Sequence, residues 1–368
     1  GGGNMRVAVA LSGGADSLLA LGLLRLAGHD VLGLHAHFLP PDDAARALAA
    51  SIAAQCEALG VPFHAVDLSR AFYDRVIAPF IAAYAQGLTP NPCAVCNRDM
   101  KFGLLQDAAR VLGAERLATG HYARLEATAN GAALFRGADA TRDHSYFLSL
   151  VPAPALARAV FPLADRKKAD NPTALAGMGL APPLPKESRE VCFVPGDDYR
   201  AFLQASGAPL SGPGPILLPD GSRLGTHQGL WRHTVGQRKG LGVGWREPLY
   251  VLAKDAARNA LRVGPKSDLA ATRCRAGGVN LLVAPADWPE TVLAQTCYRM
   301  RPRPARAAMD GKALVIAFAA PVTLPTAGQL AVLYDAAGRV LAGGVLEGAA
   351  PGGVDAASGG LVIPPKLG

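Results

Sequence analysis

Three stretches of the chain carry residue types that do chemistry rather than packing. TPNPCAVCNRDMKFG, residues 89–103, holds Cys93 and Cys96 three apart behind two prolines. KESREVCFVPGDDYRAFL, residues 186–203, holds Cys192 with Lys186 and Arg189 close by in sequence. LSGGADS, residues 11–17, is a glycine-rich turn with small hydroxyls on either side. A structural zinc site needs four ligands, usually as two pairs, and neither a second C-x-x-C nor a spaced histidine pair follows. A thioredoxin-like pair opens a helix early in its fold, whereas this pair comes after several strand–helix alternations. Catalytic thiols remain the leading reading. Cys96 is expected just before a helix over about 98–112, whose N-terminal end would favour thiolate; Lys186 and Arg189 would do the same for Cys192 if they fold inward. Two thiols far apart in sequence but joined in one site suit sulfur transfer, one carrying a persulfide and the other resolving it.

The turn at Ser12-Gly13-Gly14-Ala15-Asp16-Ser17 lies between an apolar strand, residues 5–11, and an apolar helix, residues 17–27. Glycines there present bare N–H groups, and the following helix adds its positive end, so the turn is an anion cradle. It is not a Walker A loop, which requires a lysine after the second glycine, nor is it G-x-G-x-x-G. Asp16 is a candidate for positioning phosphates or their magnesium; its plain alternative is an ordinary first-turn acid.

The elements that must position these residues alternate. Strands are expected at 5–11, 31–38, 63–67 and 116–119, with helices at 17–27, 42–59, about 70–86 and about 98–112. Such alternation implies a parallel sheet covered on both faces, with ligands beyond the carboxyl ends of its strands. The pattern changes at about 122, where two short strands flank Asn130-Gly131, a type I′ hairpin signal. Residues 200–265 are rich in Gly and Pro with short strands, and from about 270 regular β runs suggest a terminal barrel.

The 368 residues suffice for two or three domains with a sizeable core, and half are hydrophobic. A net charge of +8 favours a polyanionic partner or a phosphate-bearing substrate. Gly1–Asn4 read as residues added ahead of a start at Met5. With no signal peptide and no apolar run of membrane length, a cytoplasmic protein is expected. Six cysteines in a reducing compartment are not a disulfide framework. Cys56, Cys274 and Cys297 lack polar company and read as small buried fillers.

LSGGADS resembles the signature of the PP-loop ATP pyrophosphatases. Together with TPNPCAVCNRDMKFG, LATGHYARL, GADATRDHSYFLS, VCFVPGDDYRAFL and GTHQGLWRHTVGQRKGLG, in that order, it identifies the chain as similar to the tRNA-specific 2-thiouridylases over nearly its whole length from Met5. The resemblance implies an N-terminal parallel-sheet PP-loop domain of the adenine nucleotide alpha hydrolase-like kind at 5–198. It also implies a small β-rich, tRNA-binding domain at 199–268 and a C-terminal β-barrel at 269–368. It further implies ATP with magnesium as cofactor, and tRNA and a sulfur-donor protein (a cysteine desulfurase or persulfide carrier) as partners, without a membrane. The reaction would be adenylation of the wobble-uracil C2 oxygen followed by sulfur transfer, with Cys192 bearing the persulfide and Cys96 as its partner thiol. Leu11, Ser12, Gly13, Gly14, Ala15, Asp16, Ser17, Leu18, Ala36 and Gly120 would line the ATP site. Asn91, Pro92 and Cys93 would meet the target base, splayed out of the anticodon loop. His121, Arg142, Asp143, His144, Cys297, Tyr298 and Gln329 would contact the tRNA, and Arg299, Arg301, Arg303 and Arg306 its phosphates. Gln237, Arg238 and Lys239 would serve substrate placement.

This chain departs from the family pattern at two of these places. Cys93 stands where several members have aspartate, so an acid–base role there does not carry over. Cys93, Cys96 and Cys192 together would instead suffice to hold an iron–sulfur cluster with one iron open, an alternative route to the same thiolation. His144 replaces a more usual glutamine. Two other classes compete: a PP-loop amide ligase, which needs the loop but neither thiol, and a zinc-stabilised RNA-binding module, which needs no ATP.

Overall fold

The computed structural model describes residues 5–129, 131–184 and 191–347. Gly1–Asn4, Asn130 of the expected hairpin turn, and the Lys186 and Arg189 assigned to Cys192 lie outside the described residues. The chain divides into two compact units. One comprises the spans Gly1–Ile77, Pro92–Phe193 and Ala337–Val340; the other comprises Ala78–Asn91, Val194–Ala336 and Leu341–Gly368.

In the first unit, runs of Val, Leu and Ala form β1 (Arg6–Ala10), β2 (Asp30–His37), β3 (Phe63–Asp67) and β4 (Arg116–Ala118). A hairpin of β5 (Ala123–Thr128) and β6 (Gly131–Arg136) follows, then β7 (Ala159–Val160). The sheet order is β3-β2-β1-β4-β7, and every pair is parallel. Val7, Ala8 and Val9 of the central strand are fully buried, as both-face coverage requires. Helix α1 (Ala15–Leu26) and helix α2 (Asp43–Ala58) supply part of that cover. The Asp42 carboxylate caps α2 by accepting from the Ala45 N–H at 2.8 Å. Leu18, Leu19 and Leu21 of α1 and Ile52 and Cys56 of α2 close one apolar core with Val7 and Val9. A third helix, α3 (Asn171–Gly177), belongs to the same core through Leu175. Gly22 lets the turn after α3 come close to α1, since a Cβ there would stand 2.7 Å from Met178 Sδ.

The stretch expected to be a Pro-rich loop before a helix at 98 is itself helical from Pro92. It runs as α-helix over Pro92–Val95, as π-helix over Cys96–Leu105, and as α-helix again over Gln106–Val111. Proline fits the first turn because its missing N–H would have had no helical partner there. Cys93 and Cys96 therefore project from helix turns and not from a loop.

The second unit carries a four-stranded sheet of β8 (Gly214–Leu217), β9 (Arg223–His227), β10 (Tyr250–Asp255) and β11 (Ala260–Gly264), in the order β10-β11-β8-β9. Ile216, Val251, Leu261 and Val263 form its core. Beyond it come β12 (Ala270–Leu281), β13 (Val292–Gln295), β14 (Arg303–Asp310), β15 (Ala313–Thr323), β16 (Leu330–Tyr334) and β17 (Val340–Leu346). They close into a barrel in the order β12-β15-β14-β13-β16-β17, filled by residues such as Leu314, Ile316, Leu333 and Trp288. The expected terminal barrel is therefore present, and its closure leaves no free sheet edge.

Candidate active site

The turn after β1 is tied to itself. Ser12 N–H donates to Ser17 Oγ at 3.2 Å, and Ser17 O–H donates to the Gly14 carbonyl at 3.0 Å. Gly13 adopts φ +87°, a conformation that side chains resist. Buried His35, on β2, fixes the start of the turn: its Nδ1 lies 2.7 Å from the Leu11 carbonyl, and burial lowers its pKa. Sequence reasoning passed over His35, although it stands next to the nominated Ala36, near the carboxyl end of the same strand. Gly120 follows β4, and its position explains the residue type. A Cβ there would lie 2.9 Å from the carbonyl carbon and Cβ of Asp16 and 3.0 Å from Ser17 N, so only glycine lets this segment close on the first turn of α1.

Asp16 is more than a first-turn acid. Its Oδ1 accepts from Tyr122 O–H at 2.7 Å, from Asn171 Nδ2 at 3.1 Å and from Lys168 Nζ at 2.7 Å, and Oδ2 accepts from the same Nζ at 2.7 Å. Asn171 Nδ2 also donates to Tyr122 Oη at 2.6 Å. Buried beside this carboxylate, the Tyr122 phenol has its pKa pushed well up.

The three nominated thiols share a neighbourhood in the same unit. Cys96 is half-buried; Cys93 and Cys192 reach solvent. Burial pushes Cys96 up to about 12, and Cys192, Cys93 and Asp99 push it the same way. Partial desolvation also raises Cys93 and Cys192, and each has protein on its inner side although its outer side is open. The expectation that a helix start lowers Cys96 is corrected: the helix begins four residues earlier, and desolvation outweighs the dipole. One cation opposes the rise at all three thiols, Lys101. It stands five residues after Cys96 in the π-helix, whose i→i+5 hydrogen bonds bring residues five apart onto one face. Lys101 was inside a quoted motif and was missed, because in an ordinary helix that spacing points elsewhere.

Two histidines complete the neighbourhood. The ring of His121 lies against Phe102, Phe161 and His144, with Nδ1 2.7 Å from Thr119 Oγ1. Desolvation and Lys101 hold His121 well below its usual pKa, and the same two causes bring His144 to about 4. Both rings are neutral at pH 7. In the 142–144 turn, Arg142 is exposed, whereas Asp143 is buried. The Asp143 carboxylate accepts from Arg136 at 2.6 Å and from the Gly137 and Ser145 N–H groups at 3.2 and 3.0 Å, which shapes the turn from within.

The remaining nominated residues lie in the second unit. Gln329 donates through Nε2 to the Thr89 carbonyl at 3.0 Å and accepts at Oε1 from Asn91 Nδ2 at 3.5 Å, so it pins the 89–91 segment. Gln237 is spent on its own turn, accepting from Thr234 N–H and donating to the Lys239 carbonyl. Arg299, Arg301, Arg303 and Arg306 are all exposed, and Arg306 pairs with Glu290. Of the three expected filler cysteines, Cys56 is fully buried and Cys274 half-buried. Cys297 is exposed, beside Tyr298, and the filler reading is corrected there.

A cluster needs three donors turned to one point. Among the described residues no group of three or more His, Cys, Asp and Glu side chains is placed to hold a metal ion. No helix among the described residues is long and apolar enough to cross a membrane.

A parallel sheet with a Ser-Gly-Gly cradle at its first turn, followed by a small β domain and a barrel, defines a class: a HUP-type nucleotide-handling domain joined to β modules. Two family models match in these places, the tRNA methyl transferase HUP domain over residues 5–196 and the tRNA methyl transferase PRC-barrel domain over residues 200–265. The chain is 54% identical over 353 residues to the tRNA-specific 2-thiouridylase MnmA of Nitratidesulfovibrio vulgaris strain Miyazaki F, covering 94% of this chain and 99% of that one. The proteins of the same name from Lawsonia intracellularis and Roseiflexus castenholzii are 46% and 39% identical; the matches cover 93% and 92% of this chain and 99% and 98% of theirs. The chain belongs to the family of tRNA-specific 2-thiouridylases, enzymes that transfer sulfur to tRNA.

Proposed function

We propose that the chain converts the wobble uridine of tRNA to 2-thiouridine with ATP, through a persulfide on Cys192, in the cytoplasm. The observation that carries the reading is the common neighbourhood of Cys96 and Cys192, in the unit that also holds the anion turn. Family membership supplies the substrate class. The division of labour follows segments 5–198 for chemistry and 199–268 and 269–368 for tRNA.

The uracil C2 oxygen is a poor leaving group, and adenylation turns it into AMP. The turn at 11–18 holds the phosphates by N–H groups and the α1 N-terminus. Ala36 and Gly120 border the nucleotide. Magnesium would rest mainly on the phosphates with one protein carboxylate, which Asp16 fits. Asn91, Pro92 and Cys93 receive the base; His121, Arg142, His144, Cys297, Tyr298 and Gln329 hold the tRNA, with Asp143 acting only by shaping the 142–144 turn from within. A sulfur-donor protein loads Cys192 as Cys–S–SH. Its terminal sulfur attacks C2 and AMP leaves with the C–O bonding pair. The Cys96 thiolate then attacks Cys192 Sγ, the S–S bond breaks toward the base, and C2 keeps its sulfur. The product disulfide Cys96–Cys192 needs two electrons from a thiol reductant to reset. Lys101 stabilises each thiolate as it forms.

The test is single-turnover thiolation of unmodified tRNA by protein carrying a labelled persulfide. Transfer of the label in wild type, and its retention on Cys192 in Cys96→Ser, supports the reading. Full turnover by Cys96→Ser would sink it and favour an amide-ligase type of chemistry.

A further inference from the structure

The anion turn lacks the lysine that a Walker loop carries, and its one charged residue is Asp16, an acid. ATP brings several negative charges to it. The N–H groups of the turn and the end of α1 offer only fractional positive charge. An acid in the cradle worsens the balance unless a cation comes from elsewhere in the fold.

We propose that Lys168 is the phosphate-contact cation of this turn, supplied from the segment before α3 of the same chain. The proposal rests on the reading that residues 11–18 bind ATP. Lys168 Nζ stands 2.7 Å from both oxygens of Asp16, the second residue of α1. The ammonium is therefore one carboxylate away from the open N–H groups of the first turn. Its backbone is fixed as well, since the Lys168 N–H donates to Asp139 Oδ2 at 3.1 Å. The side chains of Lys168 and Asp16 are 21% and 23% exposed, so the pair opens to solvent and is not sealed in the core.

The pair is also built to come apart. Asp16 Oδ1 keeps Tyr122 O–H and Asn171 Nδ2 as donors after Lys168 moves, so the carboxylate is not stranded. With Tyr122 and Asn171 holding Asp16 in place, the carboxylate meets the magnesium and the ammonium turns to a phosphate oxygen. Lysine serves here as a point charge on a flexible stem.

Ligand binding to wild type and variants tests this. Calorimetry with magnesium and α,β-methylene-ATP, whose scissile bridge does not cleave, compares wild type with Lys168→Gln and Lys168→Arg. A lost charge-assisted contact weakens binding by roughly 10- to 100-fold in Lys168→Gln. Lys168→Arg recovers part of it, while adenosine binds all three alike and the KM for tRNA is unchanged. Equal analogue affinity in wild type and Lys168→Gln, with only a lower Tm, overturns the proposal and leaves Lys168 as a structural tie. If wild type itself does not bind the analogue, the ATP reading fails first and the inference with it. Should Lys168→Gln not fold, amine acetylation of the wild type followed by mass spectrometry decides. Slower labelling of Lys168 with the analogue than with adenosine supports the contact; equal rates overturn it.

Discussion

In residues 11–17 Ser12 and Ser17 bond within the turn and Asp16 is held by Tyr122, Asn171 and Lys168, whereas the thiols of Cys93, Cys96 and Cys192 meet a largely desolvating neighbourhood and one shared lysine. Both regions belong to the same unit. The anion turn is preorganised: its serines, glycines and the His35 clamp hold the shape before any ligand arrives, which lowers the cost of binding. The thiol region is held back. Burial keeps Cys96 protonated at neutral pH, so its nucleophile exists only in small fraction. On the proposed persulfide reading, such restraint would protect the site, because a resting thiolate pair oxidises readily. One region is ready in advance, and the other becomes reactive when a base removes its proton.

The comparison breaks most completely at the thiols. Cys192→Ser is expected to abolish 2-thiouridine formation while leaving ATP affinity as in wild type; product assay and calorimetry on one preparation check both halves.

Next is the pH dependence of the resolving step. With Cys96 near 12, its thiolate fraction grows about tenfold per pH unit below that value. Single-turnover release of product from preloaded persulfide should rise with a log–log slope near one between pH 7 and 9. Lys101→Met should lower the whole line, because the cation facing Cys93, Cys96 and Cys192 is gone while Asp99 still opposes ionisation. A flat profile would mean that the thiol is ionised in the working complex.

Gly120→Ala tests the readiness of the other region. Its Cβ would press on Asp16 and Ser17, at a cost of about 1–3 kcal/mol. Weaker ATP binding by roughly tenfold, with persulfide loading of Cys192 unchanged, is the expected pattern; stopped-flow binding and mass spectrometry read the two quantities.

The smallest effect is on acid stability. His144 has its folded pKa lowered to about 4 by burial and Lys101, with Arg142 acting the same way and Asp16 and Asp143 opposing. A depressed histidine contributes stability that is present above its unfolded pKa near 6.5 and is lost as pH falls toward 4. His144→Gln should flatten the fall in Tm over that window, and an unchanged slope would assign it to His121 or His35.

Most of the parallel sheet was legible: β1, β2 and β4 carry short runs of small and apolar residues and strand 63–67 falls where its sequence says, whereas the two-residue β7 was not foreseen. The barrel was legible from regular strand spacing. Glycines 13 and 14 announced the anion turn because the chemistry there is local. The thiol region was half legible. The cysteines were visible, but Pro92 was read as loop and is the first residue of a helix, and the wide winding after Cys96 has no sequence signature. Lys168 was out of reach, since 152 residues separate it from Asp16 and only the packing of α1 and α3 brings them together.

The wide winding at Cys96–Leu105 has a consequence for chain length. Helices usually tolerate replaced residues better than missing ones, because each residue turns the rest by about 100°. Here one deletion between Cys96 and Lys101 together with a return to ordinary α pitch would set the two residues four apart and again on one face, whereas α pitch at the present count would turn the lysine away. In this segment residue count and winding together set which charge the sulfur meets.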